Sequence, residues 1–172
     1  ISSILEGRGY EVIAAVSGYC LGGGMAVALM CDIRIAAENA RFGIPAAKLG
    51  VAYTPEALRQ LIDLAGPSVA KDIMFMARQF GAQDAFRFGI LNHVVSPQEL
   101  EAYVDSYAQT IAANAPLTII AAKTVIDEAM KDAHERDNAA CDRAVAACFA
   151  SQDYAEGRRA FMERRKPVFT GR

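Results

Sequence analysis

Residues 12–26 read VIAAVSGYCLGGGMA: an apolar, β-branched segment, then a glycine-dense turn, then the start of an apolar helix. The segment from Glu11 to Val16 has the composition of a buried strand, and Ser17-Gly18 ends it. A helix is predicted to begin near Gly23, and a second short strand is predicted from Ile33 to Ala36. This order of strand, glycine turn, buried helix and strand predicts a βαβ arrangement within an α/β fold.

Two further elements are predicted before residue 97. Thr54 and Pro55 supply the N-cap and the first residue of a helix that we expect to reach about Ala65, where Gly66-Pro67-Ser68 ends it. A strand is predicted over residues 90–95, because the segment is apolar and follows a glycine.

The pattern becomes helical almost without break after Pro97, and the last helix is predicted over residues 154–166. We therefore predict one structural unit, in which residues 1–96 form an α/β core and residues 97–172 form a helical region. Because Ile1 stands in the place of a starting methionine and the chain enters a strand almost at once, we also expect an N-terminal part to be missing.

The composition indicates a single folded domain. Of the 172 residues, 53% are hydrophobic and 22% are charged, which is enough apolar surface for a compact core. The net charge of -2 provides no basic excess for nucleic acid, and no segment has the pattern of a membrane span or a signal peptide. We expect a cytoplasmic protein with no metal and no separate cofactor, whose cysteines are buried reduced thiols: Cys20, Cys31, Cys141 and Cys148.

The glycine turn over residues 17–24 has several interpretations. Glycine lets a ligand approach the backbone closely, and the amides at the start of a helix have no internal partner, so they can donate to an oxyanion. The structural alternative is a turn required only for packing. A dinucleotide site is excluded by spacing, because the glycines at 22–24 are adjacent, Val27 stands where a small residue is required, and Asp32 comes too early.

A nucleophile elbow is a further interpretation of the same turn. Residues 18–22 have cysteine, Cys20, in the place of the usual serine, and they resemble the elbow of the dienelactone hydrolases. That mechanism requires an acid and then a histidine later in the chain. The candidates are His93, in a predicted strand, and His134, on a charged helix face.

Four linked blocks resemble the signature of the crotonase (enoyl-CoA hydratase/isomerase) superfamily in order and spacing. They are residues 12–26, CDIRIA at 31–36, ARFGIP at 40–45 and KLGV at 48–51, and the resemblance continues through most of the remaining chain. It implies a crotonase-like α/β fold, a spiral of ββα units of which the later part is present. It also implies that the helical region which follows forms a homotrimer, or a hexamer of stacked trimers.

The resemblance implies an acyl-CoA thioester as substrate, with coenzyme A present only as part of that substrate. In the family, two backbone amides polarise the thioester carbonyl and stabilise an enolate. The amide of Gly23 matches one donor, and the other comes from a segment that precedes Ile1 in the family's full chain. Leu21 and Gly22 match positions that contact the substrate.

Two positions depart from the pattern of the hydratases. Ala26 and Ala46 stand where those enzymes place the glutamates that hold water and move protons, and a methyl group cannot act as a general acid or base. Relatives that use an aspartate after the Leu-Gly pair offer no substitute, since residues 51–54 contain no carboxylate and the first one is Glu56. Hydration by the two-glutamate route is therefore not expected.

Tyr53 is the remaining side chain of chemical interest in this loop. Residues 49–53 resemble the corresponding run of the methylmalonyl-CoA decarboxylases, which have a tyrosine at the matching position. Decarboxylation needs enolate stabilisation and a hydrogen bond that orients the leaving carboxylate, but no strong base. The alternative for Tyr53 is that it packs under the following helix, and the alternative for Glu56 is that it only stabilises the start of that helix. The alternative for the whole protein is that it binds CoA without catalysis.

The last predicted helix carries a local excess of cations, namely Arg158, Arg159, Arg164, Arg165 and Lys166. Cations near a helix C-terminus are favourable without any ligand. The resemblance implies that this helix reaches over CoA, often that of a neighbouring subunit. Phe161 then lies beside the adenine, with Arg164 near it.

Overall fold

Short strands in two sheets form the framework of residues 11–106 in the computed structural model, which describes residues 11–172. The first sheet is parallel and has the order β1 (Ile13–Val16), β3 (Ile33–Ala37), β6 (His93–Val95). In the second sheet, β2 (Tyr19–Leu21) pairs in parallel with β4 (Arg41–Gly43), which pairs antiparallel with β5 (Phe80–Gly81).

Eight helices are present in the described part of the chain. In order they are α1 (Gly23–Leu29), α2 (Ala46–Leu49), α3 (Pro55–Met76), α4 (Ala82–Arg87), α5 (Leu100–Ala112), α6 (Pro116–Ala129), α7 (Asn138–Ala150) and α8 (Gln152–Glu163). The contacts divide the chain into two compact units between Ser106 and Tyr107, within α5. None of the helices within residues 11–172 is long and apolar enough to cross a bilayer.

The core of the first unit explains why its strands are continuous apolar runs. Ile35, Ala36 and Ala37 of β3 have no exposed surface, as expected for a central parallel strand that is covered on both faces. Phe42 of β4 stacks on Phe80 of β5 with 6.0 Å between the ring centroids.

The predicted start of α1 at Gly23 is confirmed, and the strand predicted at 33–36 is present with one more residue, Ala37. The N-cap prediction is also confirmed, because the amide of Ala57 donates to the Thr54 hydroxyl oxygen at 3.4 Å. At Gly66, φ is 77°, a left-handed value that breaks α3 where the sequence predicted an end, and Pro67 then restarts it.

Other boundaries were predicted wrongly. The first strand begins at Ile13 rather than Glu11, and the glycine turn contains a strand, β2, because residues 19–21 pair with β4. The strand predicted from Ile90 covers only 93–95, since the amides of Ile90 and Leu91 donate to the carbonyl of Ala85 and close α4 instead. The last helix covers 152–163, because the Ser151 hydroxyl caps it and it ends before Arg164.

Candidate functional site

The glycine turn lies where two parallel strands end side by side. Leu21 of β2 is paired with Gly43 of β4, and the amide of Gly22 donates to the carbonyl oxygen of Gly43 at 2.8 Å. The carbonyl of Gly22 accepts from the amide of Ala26 at 3.0 Å, the first bond of α1. Both backbone polar groups of Gly22 are thus occupied, so a contribution of Gly22 to ligand binding comes from its lack of a side chain.

The residues that begin α1 have open space at their Cβ positions. A Cβ atom added to Gly23 or to Gly24 meets no heavy atom within 4 Å, and both residues are exposed. Because α1 starts at Gly23, the first-turn amides have no acceptor within the helix and retain a donor for an anionic oxygen. The candidate oxyanion donor is therefore accessible.

The segment that follows β4 lies against this turn. The ring of Pro45 lies 4.0 Å from the position a Cβ atom on Gly22 would take, and Ala46, the first residue of α2, is 4% exposed. Since β2 and β4 are parallel, α1 and α2 both begin beyond the same edge of their sheet. The structure thus brings the turn next to the segment that carries Ala46.

Ala26 and Ala46 leave this region without a proton-transfer group at either position. Ala26 lies half-buried in α1, whereas Ala46 is buried in the core cluster and its carbonyl accepts from the amide of Val51 at 3.1 Å. Leu49 and Val51, which follow Ala46, are 69% and 55% exposed. Exposed apolar side chains therefore follow Ala46 in the chain.

Tyr53 is half-buried and packs against the core cluster. Its hydroxyl has no hydrogen-bond partner within residues 11–172 and so retains a donor. Glu56 is different: its own backbone amide and the Thr54 hydroxyl donate to its carboxylate and hold the pKa of Glu56 below its ordinary value. An exposed carboxylate with these partners stabilises the start of α3, and this role requires no ligand.

Cys20 does not occupy a nucleophile elbow. It lies within β2, opposite Phe42, is 7% exposed, and has no left-handed backbone conformation. Burial, with a smaller effect from Cys31, raises the pKa of the Cys20 thiol, so the reactive thiolate is disfavoured. His93 lies in the other sheet, with its ring 5.4 Å from that of Tyr103. The hydrolase interpretation is therefore wrong.

Phe161 and Arg164 lie at the end of α8 in the second unit. Phe161 is 83% exposed, and Arg164 follows the helix with φ 53°, an uncommon left-handed value for a residue other than glycine. Arg159 and Arg165 each form an ion pair with Glu156 at 2.6 Å. Two of the five cations near the end of α8 thus have a carboxylate partner within this unit. Arg158 lies 5.6 Å from the ring centroid of Tyr154.

Two features were not singled out from the sequence. Arg34 is a charged residue in an apolar strand and is 5% exposed, a position that requires partners and was visible in the run CDIRIA. Glu156 bonds to two arginines and to the amide of Val168, a set of contacts that no local spacing predicts. The described residues contain no cluster of three or more His, Cys, Asp or Glu side chains arranged to hold a metal.

Comparison with known proteins supplies the context for this geometry. The model of the family described as enoyl-CoA hydratase/isomerase matches residues 5–172. A crotonyl-CoA hydratase of Syntrophomonas wolfei is 39% identical over 166 residues, which cover 96% of this chain and 64% of the relative. A carnitinyl-CoA dehydratase of Escherichia coli K12 is 36% identical over 165 residues, which cover 94% of this chain and 63% of the relative.

A solved structure from Magnetospirillum magneticum, described as an enoyl-CoA hydratase/carnithine racemase, superposes with a TM-score of 0.91 at 34% identity. The match covers 99% of this chain and 63% of that one. The chain therefore spans somewhat less than two thirds of the length of these relatives, and the predicted crotonase-like α/β fold is confirmed.

Proposed function

The chain belongs to the enoyl-CoA hydratase/isomerase family, and we propose that it acts on an acyl-CoA thioester through an enolate whose oxygen accepts a hydrogen bond from the amide of Gly23. The observation that carries this proposal is the open first turn of α1, held beside α2 by the bond from Gly22 to Gly43. A preorganised donor of this kind is worth about 2.7–4 kcal/mol in a transition state.

Decarboxylation is the reaction that this site supports best. The bond between the α-carbon and a carboxylate on it breaks, CO₂ leaves, and the electron pair forms the enolate, whose α-carbon then takes a proton from water. This step requires no general base, and neither Ala26 nor Ala46 can act as one. The hydroxyl of Tyr53, which bonds to no described residue, is proposed to orient the leaving carboxylate.

CoA binding is proposed for Leu21 and Gly22 at the turn and for Phe161 and Arg164 at the end of α8. Apolar side chains exposed on the second unit support assembly into a homotrimer or hexamer. They include Phe149 at 64%, Phe161 at 83% and Met162 at 81% exposure. Light scattering of the purified protein measures this assembly directly.

The proposal is tested with two substrates side by side. Decarboxylation of methylmalonyl-CoA should exceed hydration of crotonyl-CoA, and Tyr53→Phe should reduce the first reaction while leaving the affinity for free CoA unchanged. Hydration comparable to that of a two-glutamate hydratase would contradict the proposal. Tight CoA binding without turnover of either thioester would instead identify a non-catalytic CoA-binding protein.

A further inference from the structure

Arg34 is a buried cation whose hydrogen bonds go to backbone carbonyls. It lies on β3 and is 5% exposed; its Nε donates to the carbonyl oxygen of Ile90 at 2.7 Å, and its Nη1 donates to the carbonyl oxygen of Cys31. Within the described residues it forms no ion pair with a carboxylate, although the charge of Asp32 is near enough to favour the guanidinium. Removing a guanidinium from water is costly, so these contacts hold it in one position.

The two carbonyls belong to two separate segments, one at the end of α1 and the other after α4. Cys31 lies just beyond the C-terminal end of α1, and its amide donates to the carbonyl of Ala28 at 3.2 Å. Ile90 follows Gly89, which has φ 78° and lies so close to α3 that a Cβ atom there would be 3.0 Å from the carbonyl oxygen of Leu64. Arg34 therefore connects the end of α1 to a segment that is packed tightly on α3.

The other end of α1 is held by the bond from the amide of Gly22 to the carbonyl of Gly43. A helix of seven residues is only about 10 Å long. A tilt or shift at the Arg34 end therefore moves the amide of Gly23 at the opposite end. A cation near a helix C-terminus also complements the helix dipole, whose positive end lies at Gly23.

We propose that Arg34 is a positioning residue, which fixes α1 so that the amide of Gly23 points at the thioester oxygen. This inference rests on the proposed function, because it assigns Arg34 to the geometry of the same donor. This role goes beyond folding, because the strength of the hydrogen bond from the Gly23 amide to the substrate then depends on Arg34.

Isotope-edited infrared spectroscopy tests this dependence. Butyryl-CoA labelled with ¹³C at the thioester carbonyl has no double bond to hydrate, and its carbonyl stretch moves to lower frequency when the oxygen accepts a hydrogen bond. Arg34→Met, of similar length but neutral, should lose about half of the shift or more, because such bonds weaken steeply with misalignment. Free ligand absorbs at its own frequency, so its spectrum is subtracted, and calorimetry establishes that each variant binds the ligand before its shift is compared.

Arg34→Lys, which keeps the charge but cannot form both bonds, should retain part of the shift and remains the test if Arg34→Met does not fold. The matched control is Asn92→Ala, which removes a bond of 2.9 Å from the Arg34 amide and leaves the guanidinium contacts; it should keep the full shift. A folded Arg34→Met with the full shift, or Arg34→Lys equal to the unchanged protein, would overturn the inference. No shift in the unchanged protein would instead refute the proposed function.

Discussion

The amide of Gly22 donates to the carbonyl oxygen of Gly43 at 2.8 Å, directly beyond the last paired residues of β2 and β4. This bond continues the ladder of two parallel strands into the turn that precedes α1. The next amide, that of Gly23, lies in the first turn of α1, at an exposed residue. Strand pairing thus holds the residue that directly precedes the candidate oxyanion donor.

Gly43→Ala should destabilise the protein. A Cβ atom at this position lies 2.9 Å from the carbonyl oxygen of Arg78 and 3.4 Å from the Cα of Gln79, and backbone atoms cannot move aside as a side chain can. We expect a loss of about 1–3 kcal/mol in the free energy of unfolding, measured by urea denaturation. Gly24→Ala is the matched control, because its added methyl group meets nothing within 4 Å; equal stability of the two variants would contradict the packing argument.

Gly23→Ala should have opposite effects on stability and on ligand affinity. The added methyl group meets no protein atom within 4 Å, so the helix should gain up to about 1 kcal/mol in stability. In the proposed binding mode, the same methyl group lies next to the amide that the thioester oxygen must reach. Affinity for butyryl-CoA, measured by calorimetry, should fall about tenfold or more, equivalent to ~1.4 kcal/mol. Unchanged affinity in the folded variant would show that the ligand does not approach there.

Restoring two carboxylates tests why hydration is not expected. Ala26→Glu with Ala46→Glu should raise the rate of crotonyl-CoA hydration by about a hundredfold or more, because each placed proton carrier is worth ~10²–10⁴-fold. The same pair as glutamine is the control, since it adds similar volume without an ionisable group. Ala46 is 4% exposed, so both double variants should lose stability. A folded glutamate variant no faster than its glutamine control would mean that the surroundings have diverged.

The residues that start, cap and break helices were predictable from the sequence. The helix beginning at Gly23, the cap at Thr54 and the break at Gly66 each depend on a few neighbouring residues, and all three are present. The strand β2 was missed because three residues within a glycine turn carry no period of their own and pair only through β4. The strand predicted from Ile90 was wrong for a local reason, because the amides of Ile90 and Leu91 donate to the carbonyl of Ala85 and close α4.

The candidate site was predictable only in part. The glycine turn and the two alanines were found because their pattern is local or carried by the family resemblance. Arg34 acts on Cys31 and Ile90, and the second of these lies far along the chain. Its position in an apolar strand signalled a buried charge, but the sequence contains nothing that identifies a backbone carbonyl as its partner.

Arg164→Glu should weaken CoA binding roughly three- to tenfold at low ionic strength, because it replaces an attraction to phosphate with a repulsion. The effect should shrink as salt is added, since exposed charges more than ~8 Å apart are largely screened at physiological ionic strength. Phe161→Ala should weaken binding without this salt dependence. Titrations at two salt concentrations, with light scattering for assembly, provide the measurement.

Arg143→Glu is the control for Arg164→Glu, because it makes the same charge change at an exposed residue of α7 whose own pair, with Asp137, spans 3.8 Å. Both variants lower the net charge equally, so a general electrostatic effect would lower CoA affinity in both. Undiminished affinity in Arg164→Glu at low salt would assign the end of α8 to assembly alone.

Glu156 joins α8 to the segment that follows it. Its two carboxylate oxygens accept from Arg165 at 2.6 and 2.9 Å, and they also accept from Arg159 at 2.6 Å and from the amide of Val168 at 3.2 Å. The side chain is 13% exposed. The bonds from Arg165 and Arg159, in that order of importance, with that from Val168, hold the pKa of Glu156 far below its ordinary value.

A depressed pKa in the folded state fixes the sign of the pH dependence. The bonds to Glu156 should stabilise this segment fully at pH values above ~4.3, the ordinary glutamate pKa, and should be lost as pH falls from there towards the folded value. Exchange of the Val168 amide should therefore accelerate, beyond the intrinsic trend, as pH falls below about 4.3. Val168 should exchange fast at every pH in Glu156→Gln. Glu163→Gln removes only the negative charge of the group that accepts from Arg165 Nε at 2.6 Å, and it should keep the pH dependence. Protection of Val168 that is independent of pH would show that the carboxylate does not hold the segment.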